Sequence, residues 1–135
     1  MRQVWIAVIA GAAGWGAPPA LAQDITGTWL TETQTSRVRI APCGAARCGT
    51  IVWVQNDTKD VNNPDPERRA RSLVGLRMIS DLKRDGESWS GSLYNPLDGR
   101  TYAGKFKLKS TREAELSGCV LGGLVCRSQT WSKVD

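Results

Sequence analysis

The stretch Arg100-Thr101-Tyr102-Ala103-Gly104-Lys105-Phe106-Lys107-Leu108-Lys109 decides the fold. Tyr102, Gly104, Phe106 and Leu108 fall on one side of a period-two repeat, and Lys105, Lys107 and Lys109 fall on the other. That is the pattern of a strand with one face packed and one solvated. Just before it, Asn95-Pro96-Leu97-Asp98-Gly99 places Pro at an early turn position and Gly where positive φ is wanted. The preceding residues 89–94, Trp-Ser-Gly-Ser-Leu-Tyr, therefore return as an antiparallel partner.

Working outward, the same alternation recurs between Gly, Pro, Asn and Asp punctuation. Residues 114–120 and 126–134 read as strands on the C-terminal side. On the N-terminal side, Lys83-Arg84-Asp85-Gly86 reads as a hairpin turn after a strand at 74–79. Residues 50–54 are apolar on both faces, which suits a strand covered on its outside as well. Residues 42–49 read as a turn, with strands at 37–40 and 28–33 before it. Helix is scarce. Eight short strands in a chain this small imply an all-β, up-and-down antiparallel barrel with one long loop; a two-sheet sandwich is the alternative.

The 135 residues include six Trp, four Cys and no His, with a formal charge of +5. Residues 1–22 carry Arg2, an apolar run at 4–13, Pro18-Pro19 and then Ala20-Leu21-Ala22, which reads as a secretory signal with an A-x-A cleavage site. The run is shorter than the roughly 20 apolar residues that a span needs, so no membrane span is expected after cleavage. Residues 23–135 remain as one domain, too short for two-domain enzymes or dinucleotide-binding sheets.

A domain of this size benefits from cross-links in an oxidising compartment. The four cysteines allow three connectivities. Loop entropy favours a long-range bridge, about 4.6 kcal/mol for Cys43 to Cys126 against roughly 2 to 2.5 for each short loop. Each close pair, however, flanks a Gly-containing turn whose arms must lie side by side, so Cys43–Cys48 and Cys119–Cys126 are the expected bridges. Their spacings do not suit a zinc site.

Residues 56–71 form the one long irregular segment. Asp57, Asp60, Asn62, Asn63, Asp65 and Glu67 could supply oxygens to calcium, but the spacing fits no EF-hand. Arg68, Arg69 and Arg71 follow at once and can neutralise the same carboxylates, so no metal is expected. Catalysis is disfavoured because the usual acid–base side chain is absent and the cysteines are expected to be paired. Ser80-Asp81-Leu82-Lys83 spells S-x-x-K on a strand rather than at the helix start where that motif works. The dispersed lysines and the export signal argue against nucleic acid.

Gly27-Thr28-Trp29, Cys48-Gly49-Thr50-Ile51 with Trp53, Asn63-Pro64-Asp65 leading to Arg69-Ala70-Arg71 and Gly75, the string from Trp89 through Asn95-Pro96-Leu97-Asp98-Gly99 to Tyr102, and Cys126 to Trp131 together form a wider pattern. It resembles the exported bacterial family known as domain of unknown function 2147, over essentially all of residues 23–135. The resemblance implies a lipocalin-like, or calycin, barrel and a periplasmic or secreted address. It supplies no reaction. Asn95 stands where an Asp would be usual, and the C-terminal cysteine pair is not expected in every relative.

The aromatics carry the functional expectation. Trp29 and Trp131 are assigned to packing, with Trp29 at the barrel base under a cation from the last strand, Arg127 or Lys133. Trp53, Trp89, Tyr102 and Phe106 are candidates for the wall of a ligand cavity, with Arg69 and Arg71 as partners for an acidic head group. The expected function is a non-enzymatic carrier or sensor of a small apolar or amphipathic ligand, without a cofactor. The alternatives are a cavity-free envelope structural protein and a periplasmic protein-binding module such as a hydrolase inhibitor, to which Ser90-Gly91-x-x-Tyr94 bears a short likeness. Homodimerisation is left open.

Overall fold

The alternation at residues 100–109 becomes strand β6 (Arg100–Leu108), with Phe106 buried and Lys105 and Lys107 exposed. The structure, a computed structural model, describes residues 23–56 and 58–135, so the leader read at 1–22 and the oxygen donor Asp57 lie outside the described residues. The other strands are β1 (Gly27–Leu30), β2 (Ser36–Cys43), β3 (Ala46–Val54), β4 (Arg77–Asp85), β5 (Ser88–Asn95), β7 (Glu113–Val120) and β8 (Val125–Lys133). All pairings are antiparallel between sequence neighbours, and β1 also pairs with β8 to close the barrel. Closure removes the free edges that the two sheets of a sandwich would retain.

Several boundaries differ from the sequence expectation. Residues 42–49 are mostly strand rather than turn, because the reversal takes only Gly44 and Ala45, with Gly44 at φ +65°. Likewise β4 runs on through Lys83 to Asp85 and turns at Gly86-Glu87. At its other end β4 begins only at Arg77. Gly75 has φ +95° and Val74 faces solvent, which ends regular strand geometry there. Both expected disulfides are present, Cys43–Cys48 and Cys119–Cys126, with Cα atoms 5.8 and 4.1 Å apart.

Two bulges reset which face a residue presents. On β3, Arg37 is opposite Trp53 but Val38 is opposite Ile51, so Val52 is an extra residue. Trp53 consequently shares the outer face with Arg37, whose guanidinium lies 5.3 Å from its ring centroid. On β4, Ser80 faces Ser92 while Lys83 faces Ser90, leaving Asp81 and Leu82 opposite Gly91. A Cβ at Gly91 would lie 2.4 Å from the Ser80 carbonyl oxygen, so the bulge needs glycine there. The S-x-x-K residues thus sit in mid-strand, with Leu82 in the core.

The lower half of the barrel is filled. Phe106 packs edge-on between Trp29 and Trp131, with centroid distances of 5.1 and 6.1 Å. Around this triad lie Val38, Ile40, Ile51, Ile79, Leu82, Ala114 and Leu116. Higher up, Leu93 reaches across Gly104 and Gly118, where Cβ atoms would lie 3.1 and 3.3 Å from its side chain.

The floor is a plug made by residues 23–26. Ile25 is buried, Trp29 Nε1 donates to the Ile25 carbonyl at 3.0 Å, and Trp89 Nε1 donates to the Gln23 carbonyl at 3.0 Å. Asp24 is bridged to Arg47 Nε at 3.2 Å. Arg47 and Arg84 lie 5.4 and 5.2 Å from the Trp89 ring centroid. No described cation sits over Trp29. Its ring faces Phe106 instead, Arg127 pairs with Gly118 toward the opposite end, and the Lys133 side chain runs along Gly27.

Phe106→Ala is expected to cost about 3 to 5 kcal/mol in urea unfolding, the usual loss for truncating a packed aromatic. Trp53→Ala, on the outer face, should change stability by no more than about 1 kcal/mol. A second test concerns the floor. The hydrogen bond from Arg47 lowers the Asp24 pKa to about 2. A depressed carboxylate contributes stability above its unfolded pKa of about 3.9 and loses it as pH falls toward the folded value. Melting temperatures of the wild type and Asp24→Asn should therefore converge between about pH 4 and pH 2.

Candidate functional site

The open end is built from the β5–β6 turn and the long connection between β3 and β4. Asn95 starts the turn by accepting the Leu97 amide on its side-chain oxygen at 3.0 Å, and its carbonyl accepts the Gly99 amide at 2.8 Å. An amide oxygen does here what a carboxylate oxygen would do, so Asn in place of Asp leaves the turn intact. Asn62 then clips the long loop onto this turn by donating to the carbonyls of Pro96 and Leu97, both at 3.1 Å. A Cβ at Gly99 would lie 1.9 Å from the Asn62 carbonyl oxygen, so a larger residue would push the loop off.

The loop is pinned from beneath by Tyr94. The alternation that turns Leu93 inward puts Tyr94 and its cross-strand partner Thr101 on the outer wall. The Tyr94 hydroxyl donates to Asp60 Oδ1 at 2.7 Å, and Asn63 Nδ2 donates to Asp60 Oδ2 at 2.8 Å. Asp60 is almost fully buried. Its backbone amide bonds the Arg71 carbonyl at 2.9 Å, and Arg69 Nε bonds the Asn63 carbonyl at 2.8 Å. Desolvation, with the Asp60 carboxylate alongside, pushes the Tyr94 pKa up to about 12. Tyr94 is therefore a permanent hydrogen-bond donor at physiological pH rather than a base.

Between this loop and the outer wall lies a cleft of about 760 Å³. Arg68, Arg71 and Arg77 line it together with Tyr94, Thr101, Asn63 and the apolar side chains of Val74 and Leu76. Arg68 is partly engaged by Asp65 at 3.4 Å. The arrangement offers guanidinium groups beside a small apolar shelf, which suits an anion carried on an apolar body.

Of the residues expected to form a ligand site, only Arg71 lines this cleft. Arg69 is spent on the Asn63 carbonyl. Trp53 is on the outer wall, displaced there by the Val52 bulge, and Phe106 belongs to the packed triad. Trp89 seals the floor. Tyr102 lies at the inner rim, where its hydroxyl donates to Asp98. That bond raises the Tyr102 pKa. Burial works to raise Asp98, but the hydrogen bond from Tyr102, with Arg100 nearby, outweighs it and holds the carboxyl below its ordinary value. The four aromatics therefore do not converge on one wall. Arg77 carried no functional reading in the sequence, while Asp60 and Asn63 were read only as oxygen donors, Arg68 only as a neutralising charge and Tyr94 only as part of the Ser90-Gly91-x-x-Tyr94 likeness. The one signal for them was the crowd of polar residues in the loop, which charge balance alone could not resolve into partners.

Ser90-Gly91-x-x-Tyr94 is occupied by internal duties. Ser90 Oγ bonds Asp85 at 2.8 Å, Gly91 accommodates the bulge, and Tyr94 holds Asp60.

The model of a family described as uncharacterized protein conserved in bacteria (DUF2147) matches residues 27–133, from the first residue of β1 to the last of β8. The chain belongs to this family. Among solved structures, this DUF2147 protein is similar to one described as protein HP1028 from the human pathogen Helicobacter pylori, which belongs to the lipocalin family. The two share 24% identity over 83% of this chain and 84% of that one, with a TM-score of 0.75. The likeness establishes a lipocalin-like barrel. No curated protein matches the DUF2147 chain. Its family match starts at Gly27, just after the floor plug.

Tyr94→Phe tests the pin under the loop. It leaves Asp60 Oδ1 without its donor in a buried place, which costs about 1 to 3 kcal/mol. A raised tyrosine pKa contributes stability below the unfolded value of about 10 and loses it as pH rises through the folded one. Between about pH 10 and 12, wild-type stability should fall toward that of Tyr94→Phe, as read by chemical denaturation at each pH.

Proposed function

We propose that this DUF2147 protein is an exported, non-catalytic binding barrel that holds a small amphipathic anion at its open end. The carrying observation is the cleft of about 760 Å³ in which Arg71 and Arg77 stand beside Tyr94 and the apolar shelf of Val74 and Leu76. A volume of this order suits a small molecule. The anion fits because three guanidinium groups reach one cleft and the adjacent carboxylate, Asp60, is already hydrogen-bonded and turned away.

Two further observations support the reading. The chain has no His, and the tyrosine in the cleft is held protonated far above neutrality, so the site offers donors without offering a base. Two disulfides accord with an oxidising compartment, and no described helix is long and apolar enough to cross a membrane. A lipocalin-like frame is a common support for small-ligand binding, although the cleft proposed here lies against the outside of the wall rather than in its lumen.

Isothermal titration with dodecanoate, compared with dodecanol, tests the proposal. Arg71→Gln together with Arg77→Gln should weaken dodecanoate binding ~10- to 150-fold, corresponding to a charge-assisted hydrogen bond of about 1.5 to 3 kcal/mol, with little change in melting temperature. Equal affinity for acid and alcohol, or an unchanged double variant, would remove the arginines from the site. A barrel that binds neither probe would shift the reading to a protein partner.

A further inference from the structure

The hairpin between β7 and β8 reads Cys119-Val120-Leu121-Gly122-Gly123-Leu124-Val125-Cys126. Its apolar residues are not packed against anything. Leu121 is 72% exposed, Leu124 86% and Val125 51%. Scattered exposed leucines are ordinary, but four apolar side chains on one protruding tip are not. The Cys119–Cys126 disulfide joins directly opposed residues at the root of the tip and fixes its two arms side by side. Leu97, at the tip of the β5–β6 turn on the same end of the barrel, is also exposed.

Cations stand immediately behind this tip. Arg127 is paired with Gly118 one step below the disulfide, and Arg100 opens β6 beside the same rim. Arg100 precedes Tyr102 by two residues on the same face of β6, and a Cβ at Gly118, the partner of Arg127, would lie 3.5 Å from the Tyr102 side chain. Asp98, a carboxylate in the adjacent β5–β6 turn, accepts from the Tyr102 hydroxyl. Apolar tip and arginines thus lie at one end of the barrel, the pairing of chemistry that a lipid interface offers as acyl chain and phosphate.

We infer that the stapled tip Val120–Val125, backed by Arg100 and Arg127, is a docking site for an anionic lipid surface. A protein partner is less well matched. A stable protein interface takes roughly 20 to 30 residues a side, whereas the exposed apolar set here is a handful of side chains on a convex point. An exposed apolar tip backed by positive charge loses nothing in shape when its counterpart is fluid. Docking in this way would turn the open end of the barrel toward the lipid. The inference does not depend on the arginine cleft and can fail or stand without it.

Flotation of the mature protein with phosphatidylcholine–phosphatidylglycerol vesicles, and with phosphatidylcholine alone, provides the test. Binding is expected to the anionic vesicles and to weaken with salt. Leu121→Ser with Leu124→Ser should lower partitioning at least ~10-fold at unchanged melting temperature, since neither side chain is packed. Arg127→Gln should lower it several-fold and flatten the salt dependence. Anionic-vesicle binding that survives the double serine variant would overturn the tip as the docking element. Absence of vesicle binding in the wild type would overturn the inference as well, as would a wild-type dimer that the serine variant dissociates without any effect on lipid.

Discussion

Two buried indole N–H groups govern how this barrel can be closed. Trp29 and Trp89 enter the core from strands on opposite sides of the floor, and an indole deprived of a hydrogen-bond acceptor in that setting would carry a full desolvation penalty. Both acceptors come from a single strip of backbone, the carbonyls of Gln23 and Ile25. The strip must therefore cross beneath the barrel, and once it does, Ile25 fills the remaining gap while Asp24 meets Arg47. The triad of Trp29, Phe106 and Trp131 then packs against a closed floor. The arginine cleft and the exposed β7–β8 tip lie at the other end, outside this packed core.

The strand pattern was legible because its cause is local. Lys105, Lys107 and Lys109 against Phe106 and Leu108 leave little choice of period, and the turn chemistry at Asn95 to Gly99 is written in the residues themselves. Disulfide pairing was also legible, since each pair brackets one reversal. What could not be read was the side of the wall on which a given aromatic lies. One extra residue at Val52 sends Trp53 outward, and a composition of Thr, Ile, Val and Trp gives no sign of it. Phe106 was assigned to the right face but not to the right depth, because alternation carries no information on height along the barrel axis.

The loop shows a different limit. Its acids and arginines suggested mutual neutralisation, and one such pair, Arg68 with Asp65, does form. Yet the carboxylate that organises the segment, Asp60, is satisfied by a phenol and an amide, while Arg69 binds a carbonyl. Charge complementarity is a weak guide when neutral donors compete for the same oxygens at closer range. Asp60 is held by Tyr94 and Asn63, and among the described residues no ion pair engages Arg71 or Arg77, which line the cleft. Tyr94 both lines the cleft and occupies one oxygen of Asp60.

The seam between first and last strands sets the order in which the molecule can assemble. Six of the eight pairings join sequence neighbours through short reversals, and these can form early because little chain must be closed to bring their residues together; the pairing of β3 with β4 must first close the loop of residues 55–76. The eighth joins β1 to β8 through only Trp29 with Lys133 and Leu30 with Ser132, reinforced where Asp135 accepts the Thr28 amide at 2.9 Å and pairs with Arg39 at 2.6 Å. A meander of hairpins is therefore curled up first and buttoned last by its two ends. The same seam is the natural place for the folded barrel to open briefly, so amide exchange should be fastest along β1 and the lower part of β8, far from the cleft and from the lipid-facing tip.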